Sequence, residues 1–365
     1  MTPRVAAFVS GHGFGHAARS SAVLAALHLR TGTEVELFTD APRWFFDESI
    51  QGIFRYHREV VDVGFRQRSA LRVDLKATVE ALEDFFPLDA GKTDRLGGKL
   101  DRLAGAVRRA GCRAVLCDIS PLGVAVAERA GLPSVVMENF TWGWLYEPLH
   151  SRAPRLAHFG AELDGWIERA DVHLQARPVC DRRRGLEQVD PVSREPRSSR
   201  VEVRARLGID DDQRLTVITM GGYGEDLPFL EQLKERTGER FLVTGAPATG
   251  VDGNLLLFDN ATPLYMPDLL RAADAVVAKL GYGTVAEVWR EDIPFAWVSR
   301  DDFREMEALE AFASEELRGF GMRAGEFGRG GWIRRLPELY GEKRTPRGPG
   351  GAQRVAEVLE EVTAG

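Results

Sequence analysis

The stretch Ser10-Gly11-His12-Gly13-Phe14-Gly15-His16-Ala17-Ala18-Arg19 decides how this chain is read; it is entered from the apolar run Val5–Val9 and leads into the amphipathic pattern Ala17–Arg30. An apolar strand that passes through glycines into a helix is the first turn of a βα unit. Glycines there let backbone approach a ligand closely, and a helix N-terminus adds unpaired N–H groups and the positive end of a dipole. His12 and His16 would face whatever binds, and imidazole is the usual group for moving a proton near neutral pH. The spacing departs from the dinucleotide fingerprint: His16 follows Gly15, and only Asp40 stands as an acid at the end of the next strand. Two histidines in one glycine turn make it a site; the plainer alternative is a tight turn with one histidine capping backbone groups.

Outward from this turn, strands and helices alternate. Strands are expected at Val5–Val9, Glu34–Thr39, Arg113–Asp118, Ser134–Glu138 and Val172–Gln175, with helices at Ala17–Arg30, Asp74–Phe86, Asp94–Ala110 and Leu122–Ala130. Short strands rich in Val and Leu imply a parallel sheet covered on both faces, and the alternation implies a doubly wound α/β domain. A polar, Pro-bearing segment then intervenes, and a second βα series follows. Its strands are Leu215–Met220, Arg240–Thr244, Leu255–Phe258, Ala275–Ala278 and Phe295–Val298. Its helices are Leu227–Thr237, Met266–Ala272, Thr284–Arg290 and Glu305–Ser314. The resulting partition is an N-terminal domain over 1–181, a linker over 182–206, a C-terminal domain over 207–345, and a closing loop and helix over 346–365, the helix being Ala352–Val362. Two such domains in tandem are expected to place a cleft between the carboxyl ends of two parallel sheets, where ligands bind.

The length of 365 residues exceeds what one core usually organises. A net charge of −7, from 48 basic and 55 acidic residues, supplies no global positive field and argues against general nucleic-acid binding. Cys112, Cys117 and Cys180 show no metal-ligand spacing, and the odd number without a signal peptide suggests a reducing cytoplasm. No apolar run reaches the ~18 residues of a membrane span; peripheral contact with a membrane stays open.

Five further blocks follow strands. In Cys117-Asp118-Ile119-Ser120-Pro121, Asp118 either caps a helix, as Ser120 could, or orients a histidine and stabilises its protonated form. Met137 to Tyr146 is dense in aromatics, which either pack the domain edge or form an apolar platform, with Asn139 and Thr141 as polar contacts. Thr219-Met220-Gly221-Gly222-Tyr223-Gly224 frees backbone N–H groups for an anion or is a simple strand-end turn. Lys279-Leu280-Gly281-Tyr282-Gly283-Thr284-Val285-Ala286-Glu287 passes into a helix N-terminus, a geometry that cradles a diphosphate. Glu287 there is either a capping-box partner of Thr284 or an acceptor for ribose hydroxyls. Arg300 to Glu307 is a solvated charge run or a set of acids for a sugar.

Together these blocks resemble the GT-B glycosyltransferases, and more closely the glycosyltransferase-like N-terminal region of plant L-arabinokinases with its bacterial stand-alone relatives. The residues that carry the resemblance are Ser10 to Arg19, Asp118-Ile119-Ser120-Pro121, Asn139-Phe140-Thr141-Trp142 and Lys279 to Glu287. A weaker likeness extends to the peptidoglycan lipid-intermediate N-acetylglucosaminyltransferase. The resemblance implies an inverting transfer from a nucleotide-diphosphate sugar to an acceptor hydroxyl or amine. His16 would be the base, with Asp118 and His12 beside it. The donor would lie on Gly221, Gly222, Gly281, Gly283, Thr284, Glu287, Glu305 and Glu307, and the acceptor on Gly13, Phe14, Gly15, Asn139, Thr141 and Trp142. It implies no cofactor, since the nucleotide sugar (a uridine diphosphate sugar is expected) is a substrate, and no metal; Asp210-Asp211-Asp212 reads as a turn. The acceptor would be a small molecule, a glycan or a lipid-linked compound. No second glycine–serine phosphate loop follows, so a sugar-kinase role is not expected. Two other functions compete: a catalytically silent nucleotide-sugar-binding or regulatory module, and a nucleotide-sugar epimerase.

Overall fold

A computed structural model describes residues 2–69, 72–86, 93–221, 227–259, 262, 264–300, 303–341 and 343–364. The chain forms two compact units, Met1–Val192 with Gly350–Gly365, and Ser193–Pro349.

The first unit carries strands β1 (Arg4–Val9), β2 (Glu34–Thr39), β3 (Phe54–Arg58), β4 (Gln67–Ser69), β5 (Arg72–Val73), β6 (Ala114–Asp118), β7 (Ser134–Glu138), β8 (Val172–Ala176) and β9 (Glu187–Val189). Its helices are α1 (Phe14–Thr31), α2 (Arg43–Ser49), α3 (Leu75–Phe85), α4 (Thr93–Arg109), α5 (Pro121–Ala130), α6 (Trp142–Tyr146) and α7 (Arg155–Ile167). The second unit carries α8 (Arg200–Leu207), β10 (Arg214–Thr219), α9 (Leu230–Lys234), β11 (Glu239–Thr244), β12 (Gly250–Asp252), β13 (Leu255–Phe258), α10 (Met266–Ala272), β14 (Ala275–Lys279), α11 (Tyr282–Glu291), β15 (Phe295–Ser299), α12 (Met306–Glu316), β16 (Gly319–Arg323) and α13 (Ala324–Gly328). The last helix, α14 (Gly351–Ala364), returns to the first unit.

Each unit is a doubly wound sheet of seven strands. The first has the order β3-β2-β1-β6-β7-β8-β9, all parallel. The second has the order β12-β13-β11-β10-β14-β15-β16, parallel except for β12. Strand alternation feeds two cores per unit: Val5, Ala7 and Val9 of β1 face one helical layer, and Ala6 and Phe8 the other. Strand order reverses between β1 and β6 in one sheet and between β10 and β14 in the other. In such sheets ligands bind beyond the carboxyl ends of the strands at this reversal.

Three placements differ from the sequence reading. Part of the expected linker is ordered sheet: β9 pairs with β8, with Leu174 opposite Glu187, and the change of unit falls at Val192/Ser193. The rest is fastened to the second unit, where Ser199 and Glu202 form a capping box at the start of α8. The closing helix is part of the first unit. Val355, Ala356 and Leu359 share its core with Val23 and Leu27 of α1, and Arg30 pairs with Glu360 at 2.8 Å. Finally, the outer strands β3, β9, β12 and β16 were not legible, because edge strands are short, half-exposed and polar or glycine-bearing.

Candidate active site

In the first unit, β1 and β6 pair with Val9 opposite Asp118, so the glycine turn and the Asp118 carboxylate leave the sheet side by side at the strand-order reversal. Gly13 caps α1 at φ 84°, a left-handed conformation that suits glycine, and the helix starts at Phe14. That is three residues earlier than the periodicity suggests, and it puts His16 in the first turn. At Gly11 a Cβ would lie 1.8 Å from Oδ1 of the exposed Asp40 side chain.

His16, Arg19 and Ser20 are spaced i, i+3 and i+4 and share one face of α1. All three meet Asp118, which is fully buried. His16 Nδ1 lies 2.9 Å from Oδ1, Arg19 Nε donates to Oδ1 and Oδ2 at 3.0 and 2.9 Å, and Ser20 Oγ donates to Oδ2 at 2.5 Å. The Arg19 terminal nitrogen NH2 adds a further close contact to Oδ1. Burial alone would raise the Asp118 carboxyl, but the Arg19 guanidinium and His16 outweigh it and hold it well below the usual carboxylate range. His16 is pushed down by burial, against the pull of Asp118, so its neutral form is favoured. Its Nδ1 also lies 3.1 Å from the Arg19 nitrogen NH2; in the tautomer that places the ring proton on Nδ1, toward the carboxylate, Nε2 keeps a lone pair and can accept a proton. Asp118 is therefore no helix cap; Ser120 takes that role, accepting from Gly123 N–H at 3.3 Å.

The backbone beside this cluster is strained and braced. Ile119 has φ 48°, unfavourable for a β-branched residue, and its carbonyl accepts from Trp142 Nε1 at 3.1 Å. Asn139 accepts from Arg19 and donates to the carbonyls of Ala176 and Pro178 at 2.6 and 3.2 Å. Thr141 caps α6 and donates to Asp164 at 3.0 Å. Asn139, Thr141 and Trp142 are thus buried supports of the turn, and Trp142 and Tyr146 offer no exposed ring face. The exposed aromatics at this edge are Phe14 (37%) and Trp44 (53%), with ring centroids 5.7 Å apart.

Asp62, which sequence reasoning missed, lies behind the turn. It is buried, bonded by Ser10, and its Oδ2 has no partner among the described residues. Burial pushes it up to about 7, and the charges of Asp40 and Asp118 add to the effect. Next to it, Gly64 (φ 58°) sits directly on the His12 ring, where a Cβ would fall 2.7 Å from Nδ1. An isolated Asp between valines carries no motif, so nothing in the sequence announced it.

In the second unit, Gly221 follows β10 at φ 73° and lies under the Lys279 side chain, 2.7 Å from Cε and 3.0 Å from Nζ for a built Cβ. Gly222 lies outside the described residues, as do Asp301 and Asp302. Gly281 caps α11 through backbone alone, with no side-chain cap and no acid in the first turn, so Gly283 and Thr284 lie in a first turn whose amides have no intrahelical acceptor and whose dipole end suits an anion. Because the cap is Gly281, Glu287 is not a capping-box partner of Thr284. It is buried, and its Oε1 is held by Arg194 through Nε and NH2, each at 3.0 Å. Burial raises the Glu287 carboxyl and Arg194 opposes that shift. Beyond β15, Glu305 lies 3.6 Å from Arg300 with a buried Oε2 that has no partner among the described residues, and Glu307 is exposed on the first turn of α12. Arg194 and Lys279 are the residues here that sequence reasoning did not assign. The first lay in a segment read as linker, and the second was quoted only as part of a motif.

Among the described residues, no helix is long and apolar enough to cross a membrane, and no group of three or more His, Cys, Asp or Glu could hold a metal ion.

No family model matches the chain. It is 29% identical over 378 residues to L-arabinokinase of Arabidopsis thaliana, an alignment covering 98% of this chain and 34% of that protein. The chain thus spans about a third of that relative's length. Among solved structures, it is similar to a UDP-glucosyltransferase of Polygonum tinctorium that glucosylates indoxyl (TM-score 0.59, 16% identity, 100% of this chain and 94% of that one). It is also similar to the glycosyltransferase SnogD of Streptomyces nogalater (TM-score 0.54, 15% identity, 100% and 95%). A third is a Streptomyces glycosyltransferase in complex with thymidine diphosphate (TM-score 0.53, 15% identity, 99% and 96%). The fold is therefore that of the GT-B glycosyltransferases, two doubly wound α/β units in tandem.

Proposed function

We propose that this chain is an inverting glycosyltransferase that moves a sugar from a nucleotide-diphosphate sugar to an acceptor hydroxyl or amine. The observation that carries this reading is the His16–Asp118–Arg19 cluster beside a glycine turn, where a half-buried imidazole, shifted toward its neutral form by burial, lies 2.9 Å from a fully buried carboxylate. Nε2 of His16 takes the acceptor proton as the acceptor atom attacks the anomeric carbon. The bond from that carbon to the diphosphate breaks, and the leaving oxygen keeps the electron pair. Asp118 stabilises the imidazolium. The amides opening α11, with Lys279 above Gly221, suit the leaving diphosphate, and Glu287 suits the ribose. Acceptor contacts are assigned to Gly13 and Phe14, which are exposed, and to the half-buried Gly15 at the start of α1. Uridine diphosphate is the expected nucleotide; the similar structures include a UDP-glucosyltransferase and a thymidine diphosphate complex.

The test is thermal shift with UDP, GDP, dTDP and their common sugars, on the wild type and Glu287→Ala, followed by nucleotide release with an acceptor panel on the wild type and His16→Ala. The expected result is a shift with one nucleotide that Glu287→Ala loses, release that His16→Ala loses, and a product of inverted anomeric configuration by NMR. Absence of any nucleotide shift would overturn the donor assignment. Binding without release would mark the chain as a nucleotide-sugar-binding module instead.

A further inference from the structure

Glu287 is assigned to the ribose above, and the structure gives that carboxylate a partner from a segment with no motif. The strap leading into α8 is pinned to the second unit at several points. The amides of Arg197 and Ser198 donate to Asp268 Oδ1 at 2.6 and 3.0 Å, and Tyr265 Oη donates to the Glu195 carbonyl at 2.8 Å. The guanidinium groups of Arg194 and Arg197 lie over the Tyr265 ring, 5.3 and 4.1 Å from its centroid. This anchoring delivers Arg194, itself buried, to Glu287. Both of its contacting nitrogens take the same oxygen, Oε1, and none of the hydrogen bonds among the described residues uses Oε2. A bidentate pair would have occupied both oxygens; this one is lopsided and leaves one acceptor open.

We propose that Arg194 is a positioning residue of the donor site: it clamps Oε1 of Glu287 and so presents Oε2 to a hydroxyl of the nucleotide ribose. The inference rests on the donor-site reading of the second unit. Arg194 does two things there. It fixes the carboxylate rotamer, and it keeps the carboxylate ionised in a setting whose burial favours the neutral acid. Among the described residues, the other charged or titratable groups beside the pair include Arg197, Asp268, Tyr265 and the ion pair of Glu195 with Arg290 of α11 at 3.1 Å. Burial pushes the Tyr265 phenol up to about 12, so it stays neutral over the working range. Without Arg194, Glu287 would hold its proton to higher pH and accept the ribose hydroxyl poorly until it ionised.

The test uses the full chain and UDP, GDP and dTDP as probes, with dissociation constants measured from pH 6 to 9 for the wild type, Arg194→Gln, Arg194→Lys, Glu287→Gln and the Arg194→Gln/Glu287→Gln double variant. Variant-to-wild-type ratios at each pH cancel the ionisation of the nucleotide. Arg194→Gln keeps a donor but no charge; it should bind about tenfold more weakly at pH 7 and recover toward pH 9. Arg194→Lys should follow the wild type. Glu287→Gln should show a pH-independent ratio that the added Arg194→Gln leaves unchanged. An unchanged affinity in Arg194→Gln, or a loss that persists undiminished in the Glu287→Gln background, would overturn the positioning role. If the wild type binds none of the three nucleotides, the donor-site reading itself fails, a result separable from both.

Discussion

The two units each hold a buried carboxylate, Asp118 at the end of β6 and Glu287 within α11, the helix that follows β14, and the two are treated in opposite ways. Asp118 is saturated: a histidine, an arginine and a serine, all from one face of α1, fill both of its oxygens. Glu287 is held at one oxygen by one arginine. Partner charges outweigh burial at the first, and burial outweighs its single partner at the second. A saturated carboxylate has no capacity left for a ligand, so it can only orient and charge-balance its neighbours. A half-filled one can still receive a hydrogen bond. The same side-chain chemistry thus suits the proposed base in one unit and the proposed ribose contact in the other.

The most severe way to break this contrast is to remove the imidazole proposed as the base beside Asp118. His16→Ala should lower turnover by about 10²–10⁴-fold while nucleotide dissociation constants stay within error, read by nucleotide release and titration calorimetry. Removing the saturated carboxylate should be felt in stability as well. Asp118→Ala strands a buried guanidinium and should cost about 3–5 kcal/mol in denaturant unfolding. Glu287→Ala strands one arginine that still stacks on Tyr265, and its cost should be the smaller of the two.

Asp62 sharpens the comparison through pH. Its folded-state value of about 7 lies above the ordinary 3.8, so the folded protein binds the proton more tightly than the unfolded chain. Stability from this group is full below the ordinary value and is lost as pH rises through about 7. Asp62→Asn should therefore match the wild type near pH 4 and exceed it at pH 8, by at most on the order of 4 kcal/mol. Equal unfolding curves at both pH values would show that Asp62 is not held neutral. The smallest effect separates the two glycine turns. Gly221→Ala must adopt a left-handed φ and should cost about 1–2 kcal/mol. Gly11→Ala meets only the exposed Asp40 side chain, which can swing away, so Asp40→Ala should remove most of its cost in a double-mutant cycle.

The central strands were legible because buried parallel strands are short, apolar and bounded by glycine or an acid. Glu34–Thr39, Ser134–Glu138 and Leu255–Phe258 match the sequence reading to the residue. The glycine turns after β1 and β10 and before α11 were legible for the same reason that they are useful, since local backbone demand is written in glycine. Helix starts were less so, because a cap such as Gly13 or Gly281 lies outside the apolar periodicity and depends on how the strand arrives.

By itself the sequence determined the two doubly wound units, the order of their strands along the chain, and the turns that carry His16, Asp118, Gly221 and Glu287. Only the tertiary structure decided which of those residues are spoken for. Whether Asn139 and Trp142 face a ligand or brace a turn, whether Glu287 caps a helix or pairs with Arg194, and whether Asp62 is neutral all depend on contacts between residues far apart in the chain. Burial and partner charge are properties of the packed neighbourhood, and no local pattern of residues encodes them.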